Sequence, residues 1–279
     1  MKEKQTYKRL IEVLVFILAV IWWIPLLWMF IMSIKPTQID AVAFSKLLVP
    51  PFVLDNFKYI LNNSQATFGL WMANSLIVSS LYMIGGLILS SFAAFAFSKI
   101  HFVGKKFWFW LIMASLMIPG EAILIPLYIQ MRSLNLLNTY PALIFPALTQ
   151  PLGIMILKQF FDNLPGELFE AAEIDGCGWF KMMTTIALPL SKPALATIGI
   201  FTFLHSWNDF LWPYISITDP KLMTIPVGLP FFSSQVQSTG NISYVMAACA
   251  MAALPVLVVF FCLQKYIIAG ISFSGLKSQ

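Results

Sequence analysis

Charge is scarce in this 279-residue chain: Asp, Glu, Lys and Arg make up only 10% of it, against about a quarter of an ordinary soluble domain. A fold of this size would have too little polar surface to remain dispersed in water. Two His and three Cys make the chain a poor candidate for a metalloenzyme. Cys249 and Cys262 share one apolar run and Cys177 lies far off, so no disulfide framework is indicated. The phosphate-cradling pattern G-x-x-x-x-G-K-[ST] is missing, Gly104-Lys-Lys standing without the glycine that should precede it, and so are H-E-x-x-H and C-x-x-C. ATP chemistry and covalent or metal-assisted catalysis therefore have no site in this sequence. What the chain has in abundance is apolar surface, with 59% hydrophobic residues and a mean hydropathy of +0.82. It reads as an integral membrane protein.

A helix crossing the hydrocarbon core needs about 20 mainly apolar residues. Runs of that length occupy Ile11–Ile34, Trp71–Phe97, Phe107–Gln130, Tyr140–Phe160, Pro193–Ile217 and Tyr244–Ile268. The fourth is interrupted by Pro141, Pro146 and Pro151, which a membrane helix tolerates when neighbours or water satisfy the released carbonyls. The runs do not alternate as the strands of a membrane barrel do. The first is too long for a cleaved signal peptide, and no small-x-small site follows it. The expected fold is all-α and polytopic, with six transmembrane helices. With the N-terminus inside, twelve basic residues fall on inner segments and five on outer ones (Lys35, Lys46, Lys58, Arg132 and Lys221). The positive-inside rule then sets both termini in the cytoplasm, and the net charge of +5 reads as topology, not as recognition of an anion.

Two connections are long. The outer loop 35–70 holds Pro50-Pro51 and then Leu54-Asp-Asn-Phe-Lys-Tyr-Ile-Leu61, whose pattern suits a short helix. The inner segment 161–192 carries Asp162, Glu167, Glu170, Glu173 and Asp175, five of the chain's twelve acids. A connector that merely returned the chain could be much shorter. Asn163 or Leu164 can cap a helix there, with Pro165 in its first turn and Glu167 beside the positive end of the dipole. Leu168, Phe169, Ala171, Ala172 and Ile174 give it a small apolar surface, Gly176 ends or bends it, and a second amphipathic stretch from Trp179 stops at Pro189. Periodicity alone leaves two readings open, a helix pair docking on a partner or a loop lying on lipid headgroups.

The run Glu170-Ala-Ala-Glu-Ile-Asp175-Gly176, followed after nine intervening residues by Ile186-Ala-Leu188-Pro189, resembles the EAA loop of ABC-importer permeases. Leu54-Asp-Asn-Phe-Lys-Tyr, Asn74-Ser-Leu76, Ile118-Pro-Gly-Glu121, Leu157-Lys-Gln-Phe-Phe161, Trp207-Asn-Asp-Phe-Leu-Trp-Pro213 and Gln264-Lys-Tyr-Ile-Ile-Ala-Gly270 resemble its carbohydrate-uptake branch, MalG-like. Cys177 stands where that branch usually has Ala, and the tail 270–277 is looser than its glycine-rich ending. The resemblance covers nearly the whole chain. It implies the type I permease fold in one transmembrane domain over 1–279, in a bacterial or archaeal cell membrane. Implied partners are a homologous second permease, two cytoplasmic ATPase subunits that hold the ATP and Mg, an extracytoplasmic solute-binding protein and a carbohydrate; this chain itself binds no cofactor. Glu170, Ala171, Ala172, Asp175, Gly176, Leu188 and Pro189 would couple to the ATPase. The alternatives are a permease for a non-sugar solute and a stand-alone secondary transporter, which leaves the acidic inner segment unexplained.

Polar residues inside the spans are the other candidates. Glu121 follows Pro119-Gly120 inside the third span. A carboxylate there faces a cavity or a partner, and reads either as a path-lining or gating acid or as repair of the broken turn. In the fifth span Thr202, His205, Ser206, Asn208 and Asp209 form the densest polar patch, with Trp207 within it and Trp212 just beyond. Spacings of four put His205 with Asp209, and Thr202 with Ser206, on shared helical faces. His205, Trp207, Asn208 and Asp209 can contact a sugar or bond neighbouring helices. Gly86, Ser90 and Ala94, with Gly85 and Ser91 beside them, read as helix packing, and Cys249 and Cys262 as small apolar fillers.

Overall fold

The computed structural model describes residues 2–36, 49–63, 67–239 and 241–275, and every regular element among them is helical. Lys46, Lys277 and the parts of the expected outer loop at 37–48 and 64–66 lie outside the described residues. In chain order the first helices are α1 (Lys2–Ser33), α2 (Asp55–Asn62), α3 (Phe68–Lys99), α4 (Lys105–Ala114), α5 (Gly120–Ser133), α6 (Tyr140–Ile144) and α7 (Pro151–Asp162). They are followed by α8 (Glu167–Ile174), α9 (Trp179–Met182), α10 (Leu188–Leu190), α11 (Lys192–Asn208), α12 (Leu211–Ser216), α13 (Ile225–Thr239) and α14 (Ile242–Gly275). Internal contacts divide the chain into two compact units, Met1–Gly69 with Gly228–Pro255, and Leu70–Val227 with Val256–Gln279.

In the first unit α1 runs unbroken through Pro25. Its side chains from Tyr7 to Leu27 are exposed, a surface suited to lipid tails or a partner helix. Its last carbonyls are orphaned like those of any helix end, and the fully buried Asn56 of α2 reaches them: Nδ2 donates to Ser33 O and Lys35 O, each at 2.8 Å. The Lys35 ammonium is buried as well. It donates to Val49 O and lies over the Phe52 ring, 4.3 Å from its centroid, a cation–π contact. The short helix expected after Pro50-Pro51 is present as α2, with Ile60 buried and Tyr59 stacked on Tyr244 at 4.0 Å. The α13 helix has no counterpart in the sequence reading.

The second unit is organised along α3. One apolar cluster gathers Val78, Met131, Leu143, Ile144, Trp212 and Ile217; the other gathers Ala94, Phe95, Phe97, Leu157, Phe161 and their neighbours. Val78 and Ala94 are sixteen residues apart on one helix, about 24 Å along its axis. Helices around α3 are broken where proline removes a donor. Ile118 is extended before Pro119, as steric conflict with the proline ring requires, and the axes of Lys105–Met117 and Gly120–Ser133 meet at 101°. Trp179–Leu190 and Lys192–Asn208 meet at 81°. The run expected at Tyr140–Phe160 is split into α6, a 3-10 turn at Phe145–Ala147, a non-helical link and α7. Among the described residues three continuous helices (Tyr7–Ser33, Phe68–Lys99 and Ile242–Cys262) are long and apolar enough to cross a membrane, and five counting each bent pair as one.

Side chains near the start of α3 hold the link 217–225. Asn74 Nδ2 donates to Lys221 O (2.8 Å) and Met223 O (2.9 Å), and its Oδ1 accepts from Tyr140 OH (2.7 Å). Trp71 Nε1 donates to Pro220 O at 2.9 Å, and Ser75 Oγ accepts from Ile225 N–H at 2.7 Å. Asn138, at φ 59°, closes the same corner: Oδ1 accepts from Thr218 N–H (2.6 Å) and Asp219 N–H (2.9 Å), and Nδ2 donates to Thr218 Oγ1 (2.6 Å). Replacing the buried Asn74 by Leu strands two carbonyls and a phenol, at about 1–3 kcal/mol for each group left unpaired. The expected result is a clear fall in the thermal midpoint of the detergent-solubilised protein, while Leu76→Val, at an exposed position on the same helix, leaves it within a degree or so of wild type.

Candidate functional site

The acidic segment expected to form a helix pair does so, with a shifted start. Asn163 belongs to the end of α7, its N–H donating to Phe160 O (3.1 Å) and its Nδ2 to Gln159 O (2.7 Å). It is the C-terminal residue flanking α7 and not the cap of α8. That helix begins instead at Gly166, whose carbonyl accepts from Phe169 N–H (2.8 Å) and Glu170 N–H (3.0 Å), with no side-chain cap, so Pro165 lies before its first turn. Its other end is a Schellman motif: Gly176 sits at φ 75°, its N–H donates to Glu173 O (3.0 Å), and Cys177 N–H donates to Ala172 O (2.9 Å). Gly176 accepts the positive φ that a side chain would resist. The half-buried Cys177 packs on the apolar cluster behind it, which a small residue in place of Ala still permits.

The apolar residues of α8 fall on two sides. Phe169 and Ala172 are buried in the cluster formed by Phe95, Leu157 and Phe161, with Phe169 tilted on Phe95 at 6.3 Å. Leu168, Ala171 and Ile174 point outward, Ile174 at 87% exposure, and Glu167, Glu170, Glu173 and Asp175 are exposed around them. The helix therefore buries one apolar face in the bundle and leaves a second one open. Polar groups pin the inner face. Asp162 accepts from Ser98 Oγ (2.7 Å) and pairs with Lys158 (2.6 Å), Lys99 donates to Leu164 O (3.3 Å), and the Lys99 ammonium lies 4.4 Å from the Phe169 ring centroid. Beyond Gly178 the chain stays helical past Pro189, further than the expected stop at that proline. A π-turn at Met183–Ala187 lies just before it, and such a widened turn accommodates a residue with no N–H. Leu188 packs on the apolar cluster and Pro189 is exposed.

Of the path candidates, Glu121 lies in the first turn of α5 just past the 101° break, and is exposed. The fifth-span patch separates. Thr202 bonds Gln150 and Ser206 bonds Ser79 within the bundle, and the buried Trp207 stacks on Phe203 at 5.6 Å. His205 and Asn208 are exposed, Asn208 Nδ2 returning to Leu204 O at 2.9 Å. The helical face expected to carry His205 with Asp209 ends first: α11 stops at Asn208, and Asp209 accepts from Trp212 N–H (3.4 Å) at the start of α12. Among the described residues no group of three or more His, Cys, Asp or Glu could hold a metal ion. The sequence reading missed Ser98, Lys99, Asp162 and Gln150 as anchors; only the i,i+4 spacing of Lys158 and Asp162 signalled one of them.

An all-α bundle with an acidic helix seated between its own core and an open face is the architecture of an ABC-importer permease. The likeness extends to a crystal structure of a bacterial ABC transporter involved in the import of the acidic polysaccharide alginate, with a TM-score of 0.83 over 96% of this chain and 98% of that one at 22% identity. Residues 86–273 match the family model described as binding-protein-dependent transport system inner membrane component, and the chain belongs to that family. It is similar to the arabinooligosaccharides transport system permease protein AraQ of Halalkalibacterium halodurans, 34% identical over 91% of this chain and 90% of the relative. It is also similar to the trehalose/maltose transport system permease protein MalG of Thermococcus litoralis, 33% identical over the full length of both. It is thus a multi-pass membrane transport subunit, a permease and not an ATPase.

The burial pattern makes neighbouring alanines behave oppositely. Ala172→Trp drives an indole into a filled cluster, costing about 1–3 kcal/mol or more, and should reduce the fraction of chain recovered as a monodisperse species on size exclusion. Ala171→Trp, at an exposed position, should be recovered like wild type.

Proposed function

We propose that this permease forms half of the translocation path of an importer for oligosaccharides or related carbohydrates, and that its segment 161–192 receives the thrust of the ATPase subunits. The observation that carries the coupling assignment is the two-sided α8 helix, with Phe169 and Ala172 buried and Glu170, Ala171 and Ile174 open. On the open face Ala171 permits close approach and Glu170 can meet a basic group of the ATPase; Ala172 and Gly176 fix the helix's seat and its end; Asp175, Leu188 and Pro189 complete the surface. The partners are a homologous second permease, two ATPase subunits holding ATP and Mg, and an extracytoplasmic binding protein. In the reconstituted complex Glu170→Ala should lose a charged hydrogen bond of about 1.5–3 kcal/mol, weakening ATPase capture at least about tenfold, and Ala171→Trp should abolish it. Wild-type ATPase capture and stimulated hydrolysis in both variants would overturn the assignment.

The whole chain acts as one domain, 1–279, of six spans, the short α6 and α7 together making the fourth. Both termini and the segment 161–192 face the cytoplasm, and the loop 35–70 faces outward. The distribution of basic residues supports this orientation. A carbohydrate is favoured by the relatives named for arabinooligosaccharides and for trehalose and maltose. Exposed Glu121, His205 and Asn208 then supply hydrogen bonds to hydroxyls along the path, while Trp207 and Asp209 brace it. Proteoliposomes holding the full complex and its binding protein should take up labelled maltose or arabinotriose and not sn-glycerol 3-phosphate, with uptake lowered in Glu121→Gln at normal assembly. Uptake of the phosphate ester alone would assign a non-sugar solute. An impermeant thiol reagent on intact cells should label Asp55→Cys and spare Glu173→Cys; the reverse would invert the topology.

A further inference from the structure

Between the two apolar clusters of the second unit lies a small polar knot. The non-helical link 148–150 joins the two halves of the broken helix α6/α7, and its Leu148 and Gln150 side chains enter a notch in α3 made by Gly85 and Gly86. A methyl group on Gly85 would stand 2.6 Å from Leu148 Cδ2, and one on Gly86 would overlap the Gln150 amide nitrogen outright. The two glycines are therefore a socket for the link. Inside it Gln150 Oε1 accepts from Thr202 Oγ1 of α11 at 3.0 Å, and the Gln150 carbonyl accepts from Ile154 N–H at 3.0 Å in the first turn of α7. One residue thus joins α3, α7 and α11 at the point where the broken span bends.

Two polar groups of the knot have no partner in this conformation: Gln150 Nε2 and the hydroxyl of Ser90. Ser90 is 1% exposed and lies one turn along α3 from Gly86. Its neighbour Ser91 donates to Leu87 O at 2.6 Å, the usual local bond of a helical serine, so an unsatisfied Ser90 is not explained by its helix. A methyl group on Gly153 would be 3.0 Å from Ser90 Oγ and 3.5 Å from Gln150 Cβ, which bounds those two atoms to within 6.5 Å of each other. The amide of Gln150, three bonds beyond its Cβ, comes within reach of Ser90 by side-chain rotation and a small movement of the link. Buried polar groups left unpaired are costly, and a transporter that alternates between two packings can pair in one state what it strands in the other.

We propose that Gln150 is a positioning residue for the transport cycle: its amide bonds Thr202 in the conformation seen here and exchanges to Ser90 in the alternate one, setting the bend of the fourth span in each. The inference rests on the chain's being the permease of an ATP-driven importer. It requires no particular solute.

The test uses the purified whole complex in lipid nanodiscs, with Mg-ATP and neither binding protein nor solute. Ser90→Ala removes a hydroxyl that bonds nothing in this conformation, so a packing role alone leaves recovery and basal ATP turnover at wild-type values. Loss of an alternate-state partner instead lowers turnover at least about fivefold at normal recovery, and Ser90→Ala adds nothing further in a Gln150→Ala background. Recovery of the permease reads the socket independently of the ATPase subunits: Gly86→Ala should lower it, and Gly86→Ala with Gln150→Ala should restore it. Unchanged turnover in Ser90→Ala, or turnover losses that simply add in the double variant, would overturn the exchange. Full recovery of Gly86→Ala, or no restoration by Gln150→Ala, would overturn the pin. A wrong assignment of the solute would affect none of these readings.

Discussion

The seating of Phe169 and Ala172 in the cluster of Phe95, Leu157 and Phe161 is the interaction on which the acidic segment depends. An eight-residue helix is too short to persist in water by its own hydrogen bonds. Here it is held by aromatic packing, by the Schellman turn at Gly176, and by Lys99 reaching both Leu164 O and the Phe169 ring. Phe169 thus ties α8 to α3, and Asp162 at the end of α7 ties that helix to α3 through Ser98.

The bundle behind that helix is not a set of straight rods. Proline removes donors at Pro119, Pro151 and Pro193, and in a membrane-embedded protein the freed carbonyls have no bulk water to turn to. Carbonyls left open at other segment ends are met by side chains. Asn56 satisfies carbonyls at the end of α1, Asn74 and Trp71 those of the link at 220–223, and Trp212 Nε1 that of Ala142 at 2.8 Å. Each of these side chains fixes the direction in which a segment leaves a helix. Irregular backbone is thus concentrated where polar side chains converge, and α1, apolar over most of its length beyond Glu12, stays unbroken.

The same economy separates the candidate path residues by role. Thr202, Ser206 and Trp207 are consumed by contacts inside the chain, and Asp209 by the start of α12. Glu121, His205 and Asn208 remain on open faces.

Much was legible in the sequence because it follows from local pattern. Apolar runs, proline positions and the sparse charge announce a helical membrane protein; the alternation after Pro50-Pro51 announces α2; and Gly176 marks the end of α8, since few other residues accept its backbone angle. The shared apolar surface read along Leu168, Phe169, Ala171, Ala172 and Ile174 is the instructive failure. Composition records that these residues are apolar, but not that the bundle covers only one side of so short a helix. Which alanine faces inward is decided by where α3 and α7 end, residues distant in sequence. Gln150 is likewise unremarkable in the one-dimensional text. It acquires significance when the fold sets its amide against a glycine 64 positions earlier and a threonine 52 positions later, because burial turns an ordinary polar side chain into one whose every hydrogen bond must be found inside the protein.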